Sequence, residues 1–375
     1  MTDIAAGSDQ RIPITLLTGF LGAGKTTLLN RVLADPDAGK IAIIVNEFGD
    51  IAIDGDLITN ASDDMMELKN GCVCCASKDD LIECLYKLFM RKVGVLQPKI
   101  DFDKIIVETT GIADPTPLAQ LFYTDMQLSL TYRLDAIVTI VDAKHVVGQL
   151  ENRPEARKQI AFADMMVLNK RDLVNDAELA SARRAVERLN PFCPKEVTAH
   201  GELRLAQVVD LDLFDPQVKA EAIRQWIGAD AEEAVQASDS HHHGHDHGHD
   251  HGTDHDFKAS RGHADDVTQV CFRSDAAMDY GRLMDCLWQL TRHYGENLYR
   301  VKGVMHFRHD DRPVILQGVQ QVFSPMTYAA KWPAGRPESR LVIIGRGLDV
   351  DAIRVALKGC EATGPMVFDH GLGAV

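Results

Sequence analysis

Short apolar runs alternate with helically spaced segments through the first two hundred residues. Ile14–Leu17, Ile41–Val45, Lys104–Glu108, Ala136–Val141 and Met165–Leu168 are each brief, bounded and rich in Ile, Val and Leu. That is the pattern of strands buried on both faces. Between them, 27–33 has helical spacing, and Asp79–Arg91 places Leu81, Leu85 and Leu88 on one face. Strands separated by helices predict an α/β unit with a mostly parallel sheet and helices on both faces. From about Gln217 the helical pattern fades into Ala-, Glu- and Asp-rich sequence. Near Asp266 a second pattern begins: strand at 267–272, helix at 276–292, strands at 298–308 and 313–323, strand at 341–344 and helix at 349–357. This predicts a smaller α+β domain.

Three regions follow: 1–230, a linker at 231–264, and 265–375. In the linker His241, His242, His243, His245, His247, His249, His251 and His255 are separated only by Gly, Asp and Thr. Such sequence has no apolar area to bury, so a disordered segment is expected, able to collect metal ions loosely through imidazole. The 375 residues exceed one ordinary core. A net charge of −15 argues against a nucleic-acid partner. The polar first ten residues and the absence of a membrane-length apolar run lead to the expectation of a soluble, cytoplasmic protein. Eight cysteines in a chain this long do not describe a disulfide scaffold; Cys84, Cys193, Cys271, Cys286 and Cys360 read as small buried hydrophobes. Oligomeric state is not legible.

The chemistry begins at Gly19-Phe20-Leu21-Gly22-Ala23-Gly24-Lys25-Thr26, followed by Thr27. Gly, four residues, then Gly-Lys-Thr between a strand and a helix is the phosphate-loop arrangement. Backbone N–H groups at Gly19, Gly22, Ala23 and Gly24 can wrap a phosphate chain at a helix N-terminus. Lys25 is placed to reach the β and γ phosphates, and the Thr26 hydroxyl to ligate Mg²⁺. Glu108 closes a strand where such proteins hold Mg²⁺, and Gly111 three residues on offers a backbone N–H to sense a γ phosphate. Asn169-Lys170-Arg171-Asp172 follows the last buried strand of this region. The Asp172 carboxylate can accept from both the ring N–H and the exocyclic amine of guanine, whereas adenine would leave it unpaired. That costs about 1–3 kcal/mol, roughly ten- to hundredfold in selectivity. GTP with Mg²⁺ is the expected ligand. No residue for orienting the attacking water stands out, so slow intrinsic turnover is expected.

Cys72, Cys74 and Cys75 put three thiols within four residues. Thiolates of that density suit Zn²⁺, Cu⁺ or Co²⁺, and with no second cysteine pair the site is one ligand short of a closed structural zinc site. Glu47 could add an oxygen.

Together and in order, 18–27, Asn46-Glu47-Phe48-Gly49, Gly71-Cys72-Val73-Cys74-Cys75, Glu108-Thr109-Thr110-Gly111 and Asn169-Lys170-Arg171-Asp172 resemble the CobW-like family of metal-handling P-loop GTPases, the zinc-regulated GTPase metalloprotein activators. Leu316-Gln317-Gly318-Val319-Gln320 and Ser339–Gly345 resemble its C-terminal domain. The resemblance implies a GTPase that binds zinc or a related ion at Cys72, Cys74 and Cys75 and delivers it to a client metalloprotein, with hydrolysis as the release step. It implies that Lys25 and Thr26 serve phosphate and Mg²⁺ and that Asp172 reads guanine. Val45 stands where some relatives carry an acid, which puts a metal site using that acid in doubt. Gly111-Ile112-Ala113-Asp114-Pro115 resembles the zinc-linked branch more than the cobalamin branch. Alternatives are a cobalt-handling GTPase of cobalamin biosynthesis or nitrile hydratase-type activation, a passive His/Cys metal buffer, and a P-loop kinase, against which the guanine-reading tetrad argues.

Overall fold

The computed structural model describes residues 10–35, 39–46, 78–191, 193–204, 207–209, 211, 267–324, 326–328, 332 and 336–362. The chain divides into two compact units, Met1–Asp215 and Pro216–Val375.

The first unit holds a six-stranded, all-parallel sheet. Its strands are β1 (Ile12–Thr18), β2 (Ile41–Asn46), β3 (Lys104–Thr109), β4 (Tyr132–Asp142), β5 (Met165–Asn169) and β6 (Lys195–Val197), in the spatial order β2-β3-β1-β4-β5-β6. The helices are α1 (Lys25–Leu33), α2 (Lys78–Lys92), α3 (Thr116–Thr124), α4 (Met126–Thr131), α5 (Val146–Asn152), α6 (Pro154–Phe162) and α7 (Asp176–Leu189). Each of the five apolar runs forms a strand, extended by a residue or more beyond its apolar core because the hydrogen-bond ladder continues. One core cluster packs Leu28, Leu29 and Val32 of α1 on Leu17, Ile106, Val138 and Val167; another packs Val146, Ile160, Ala182 and Val186 on Val141, Met166 and Leu168. In α2, Asp79 and Asp80 open the first turn and Arg91 and Lys92 close the last, complementing the helix dipole. Leu81, Leu85 and Leu88 are buried there together with Cys84. Buried Tyr132 of β4 donates its hydroxyl hydrogen to the Leu85 carbonyl at 2.8 Å, fixing α2 to the sheet. Asn175 caps α7 reciprocally with Glu178.

Beside β1 the chain's progress across the sheet reverses: β3 and β2 lie on one side, β4 to β6 on the other. In open α/β sheets, ligands bind beyond the strand carboxyl ends at such a point.

Among the described residues, the second unit is an antiparallel sheet with two helices. Its strands are β7 (Val267–Ser274), β8 (Leu298–Phe307), β9 (Asp310–Val319), β10 (Val322–Phe323), β11 (Thr327–Tyr328) and β12 (Ser339–Arg346), ordered β10-β9-β8-β12-β7 with β11 on β9. Its helices are α8 (Tyr280–Tyr294) and α9 (Val350–Lys358). Leu283, Leu287 and Leu290 of α8 and Ile353 and Leu357 of α9 pack on Val270, Phe272, Val301, Met305, Leu341 and Ile343. Two departures from the sequence expectation have a local cause. The helix expected at 276 starts at Tyr280, because Asp279 takes the Arg282 N–H at 3.0 Å and caps it there. The strand expected over 313–323 is two strands, broken at Gln320, whose φ of +54° turns the chain. Among the described residues no helix is long and apolar enough to cross a membrane.

Candidate functional site

The loop between β1 and α1 is shaped by its glycines. Gly19 has φ +144°, and a Cβ there would stand 2.3 Å from the Ile140 carbonyl oxygen. Gly24, the N-cap of α1, has φ +104°, and its Cβ would meet Asn169 Nδ2 at 2.4 Å. Both positions combine a left-handed backbone with contact to the neighbouring strand end, so a side chain fits at neither. Gly22 also has positive φ and opens onto free space. Ala23 is buried, Lys25 and Thr26 are half-buried, and Thr27 is exposed. The Lys25 ammonium folds back onto the Gly19 carbonyl at 2.9 Å. A lysine folded across a glycine loop at a helix N-terminus is an arrangement that can cradle a phosphate chain.

The Mg²⁺ candidates face one another. Thr26 Oγ1 lies 3.5 Å from Oε1 of Glu108, a long contact between a hydroxyl and a carboxylate that are both oxygen donors suited to Mg²⁺. Glu108 is buried, held by the parallel ladder in register with Leu17 on one side and Val45 on the other.

Asn169-Lys170-Arg171-Asp172 does more than end β5. Asn169 is buried and bridges two loops. Its amide donates to the Ala23 carbonyl of the phosphate loop at 3.0 Å, and its oxygen accepts the Gly201 N–H at 3.1 Å. Lys170 sits at φ +63°, with its ammonium 2.7 Å from Asp142. The Arg171 N–H donates to the Thr198 carbonyl at 3.0 Å. Asp172 is half-exposed, with His200 Nε2 3.7 Å from its carboxylate. The tetrad, the phosphate loop and the 198–201 loop thus form one continuous wall, with Asp172 free of any ion pair shorter than that among the described residues.

Three contributors were not singled out from the sequence. Asp142, at the end of β4, accepts the Lys144 and His145 N–H groups at 2.9 and 3.2 Å, the His145 ring nitrogen at 3.0 Å, and Lys170. Burial alone would raise its pKa, but the bonds from Lys170 and His145 prevail and hold it below the usual carboxylate range. A second strand-end acid was visible as a signal, since Asp142 ends an apolar run just as Glu108 does. The 198–201 loop gave little signal, because β6 before it is three half-buried residues. Gln159 of α6 is buried and reaches the segment after Glu108; nothing in its local sequence marks it.

Cys72, Cys74, Cys75, Glu47 and the eight linker histidines lie outside the described residues. The structure does place the ends of the segment that carries the cysteines. It leaves the sheet at Asn46, in register with Thr109, one residue beyond the pairing of Val45 with Glu108, and rejoins described structure at Lys78, the start of α2.

A glycine loop at a helix N-terminus, a buried strand-end acid and the wall built on Asn169–Asp172, at the reversal point of a parallel sheet, are the arrangement of a P-loop nucleotide-binding protein. Residues 13–195 match the CobW/HypB/UreG nucleotide-binding domain, and residues 267–361 match the cobalamin synthesis protein CobW C-terminal domain. The zinc chaperone YjiA of Escherichia coli is 30% identical over 348 residues, covering 93% of this chain and 98% of that protein. The zinc-regulated GTPase metalloprotein activator 1 of Schizosaccharomyces pombe is 32% identical over 362 residues, covering 90% of this chain and 83% of that protein. The structure of Zn(II)-bound YjiA GTPase from E. coli superimposes with a TM-score of 0.63 at 27% identity, covering 94% of this chain and 99% of that one. The chain belongs to the CobW/HypB/UreG family and is a GTPase with a CobW C-terminal domain.

Proposed function

We propose that this GTPase is a zinc metallochaperone in which the nucleotide state sets the geometry of a thiolate site at Cys72, Cys74 and Cys75. The carrying observation is topological: the cysteine-bearing segment departs from β2 beside the exit of β3, where Glu108 faces Thr26. A movement of Glu108 with nucleotide state would therefore act at the root of that segment. Its far end is anchored, because α2 is tied to β4 through Tyr132. A segment fixed at one end and nucleotide-sensitive at the other can couple the two sites by about 1–3 kcal/mol, and the coupling must be reciprocal. The relatives named as zinc chaperones support zinc as the ion.

In this reading Gly19, Gly22, Ala23, Gly24, Lys25, Thr26 and Thr27 hold the phosphates, Thr26 and Glu108 hold Mg²⁺, and Asp172 with Asn169 and Lys170 reads guanine. Gly111 reports the γ phosphate. Thr26 and Glu108 would hold Mg²⁺ there, which would neutralise charge on the phosphate chain. Lys25 supplies a second positive charge from the protein side. Domain limits of 1–230, 231–264 and 265–375 are proposed, with the histidine linker as an accessory collector and a client metalloprotein as the recipient.

The test is zinc stoichiometry at sub-micromolar free zinc in the full chain and in a variant lacking residues 241–255. A chaperone keeps one tight site per chain after the deletion, and Cys74→Ser removes it. Loss of nearly all tight binding on deleting the histidines would instead identify a buffer.

A further inference from the structure

The segment after Glu108 is held from behind by α6. Gln159, 1% exposed, directs its side-chain amide at two carbonyls, Gly111 O at 3.2 Å and Ala113 O at 3.1 Å. The neighbouring Lys158 places its ammonium 2.7 Å from Asp114 Oδ2. Asp114 in turn accepts the Thr116 N–H at 2.9 Å, starting α3. From the front, Gly111 is pressed against the phosphate loop: a Cβ there would stand 2.7 Å from Leu21 N and 2.8 Å from Leu21 Cα.

The helix providing these contacts is itself tied to its neighbours. Buried Thr139 of β4 donates its hydroxyl hydrogen to the Gln159 carbonyl at 3.0 Å. Asn190 donates to the Ile160 and Ala163 carbonyls at 3.0 and 2.9 Å, closing the far end of α6. Arg157 donates to the Glu151 carbonyl at 3.0 Å, joining its near end to α5.

A trans peptide sends its N–H opposite to its C=O. With the Gly111 carbonyl turned to α6, the Ile112 N–H points away from it. The preceding peptide is fixed likewise, its Thr110 carbonyl taken by the Ala113 N–H at 3.1 Å. Both peptide planes around Gly111 are therefore set before any nucleotide arrives, one of them by a side chain 48 residues downstream.

We propose that Gln159, supported by Lys158, is a positioning residue for the γ-phosphate-sensing segment Thr109–Asp114, and that it sets the preference of this GTPase for GTP over GDP. The Gln159 amide is committed to the carbonyls of Gly111 and Ala113, and it acts through them. The proposal rests on the reading of Gly111 as the γ-phosphate reporter and not on metal delivery, so its failure would leave the chaperone reading standing.

The test uses the full chain with Mg²⁺ and fluorescent GDP or a fluorescent non-hydrolysable GTP analogue. Gln159→Met keeps the length of the side chain and removes the donor. The Kd for the GTP analogue is expected to rise about tenfold, while that for GDP changes less than about twofold. Lys158→Met, at a half-exposed position, is expected to shift the same ratio in the same direction by about threefold, and less at high salt. A purely structural role would lower the melting temperature and weaken both nucleotides equally. Equal weakening, or an unchanged ratio, overturns the proposal. Should Gln159→Met fail to fold, the Lys158→Met ratio decides: a shift toward GDP supports it and none overturns it.

Discussion

Asn169→Ala removes one side chain and the two hydrogen bonds that join the phosphate loop to the 198–201 loop. The Ala23 carbonyl loses a donor at 3.0 Å and the Gly201 N–H loses an acceptor at 3.1 Å, both around a residue that is 2% exposed. Leaving a buried polar group unpaired costs about 1–3 kcal/mol. The opening of the 198–204 stretch should therefore become about 5- to 150-fold more frequent, since about 1.4 kcal/mol is a factor of ten. Peptide-level hydrogen exchange of the nucleotide-free full chain reads this directly, and it requires no two-state assumption for a two-unit chain. Asn169→Asp separates the two bonds. Its carboxylate still accepts the Gly201 N–H, so protection at 198–204 is expected to stay within about twofold of wild type, because that bond is retained. The same carboxylate faces the Ala23 carbonyl with no donor, so the phosphate loop is disturbed and nucleotide affinity falls. Unchanged exchange in Asn169→Ala, or equal loss of protection in both variants, would refute the bridging role.

Other outcomes follow from the same geometry. Asp172→Asn should weaken GTP about ten- to hundredfold and improve binding of xanthosine triphosphate, whose C2 oxygen can accept from the new amide; competition against fluorescent GDP measures both. Glu108→Gln should raise the Mg²⁺ concentration needed for half-maximal GTP binding about tenfold, with little effect on nucleotide binding in EDTA. Gly111→Ala forces a Cβ onto Leu21 backbone and should weaken the GTP analogue more than GDP in the same titration. In the second unit, both ring nitrogens of buried His306 lack a hydrogen-bond partner among the described residues, and burial holds its pKa below the usual histidine value against the opposing pull of Asp311. Below the unfolded pKa the unfolded chain binds the extra proton, so stability should fall with pH from about 6.5 downward, by at most about 1.4 kcal/mol per pH unit. Trp288 and Trp332 lie in the second unit, so urea unfolding of the Trp226→Phe chain followed by their fluorescence reports it. His306→Leu should flatten that slope.

The legible parts of the chain were those whose signal is local. Five of the six parallel strands are continuous apolar runs, and the phosphate loop and the Asn169–Asp172 tetrad carry their chemistry in adjacent residues. β6 escaped because three half-buried residues make no apolar run, and with it went the 198–201 loop. α8 was begun too early because Asp279 was not recognised as its cap. Gln159 and Asp142 were missed for a different reason. Their partners, Gly111 and Lys170, lie 48 and 28 residues away, and only the packing of α6 and β5 brings them together. The glycines illustrate the opposite case: the motif required them, and the structure gives the reason at Gly24, where Asn169 occupies the space a side chain would need.

The central claim is that nucleotide state controls the metal site, and Zn²⁺ affinity tests it most directly. Competition with a chromophoric chelator would be run on protein lacking residues 241–255, with Mg²⁺ and either GDP or a non-hydrolysable GTP analogue. Zn²⁺ affinity is expected to differ about 5- to 150-fold between the two nucleotides, tighter with the GTP analogue, and Cys72→Ser or Cys74→Ser is expected to abolish the tight site. Equal affinity in both states would contradict it, because hydrolysis would then have no hold on the ion.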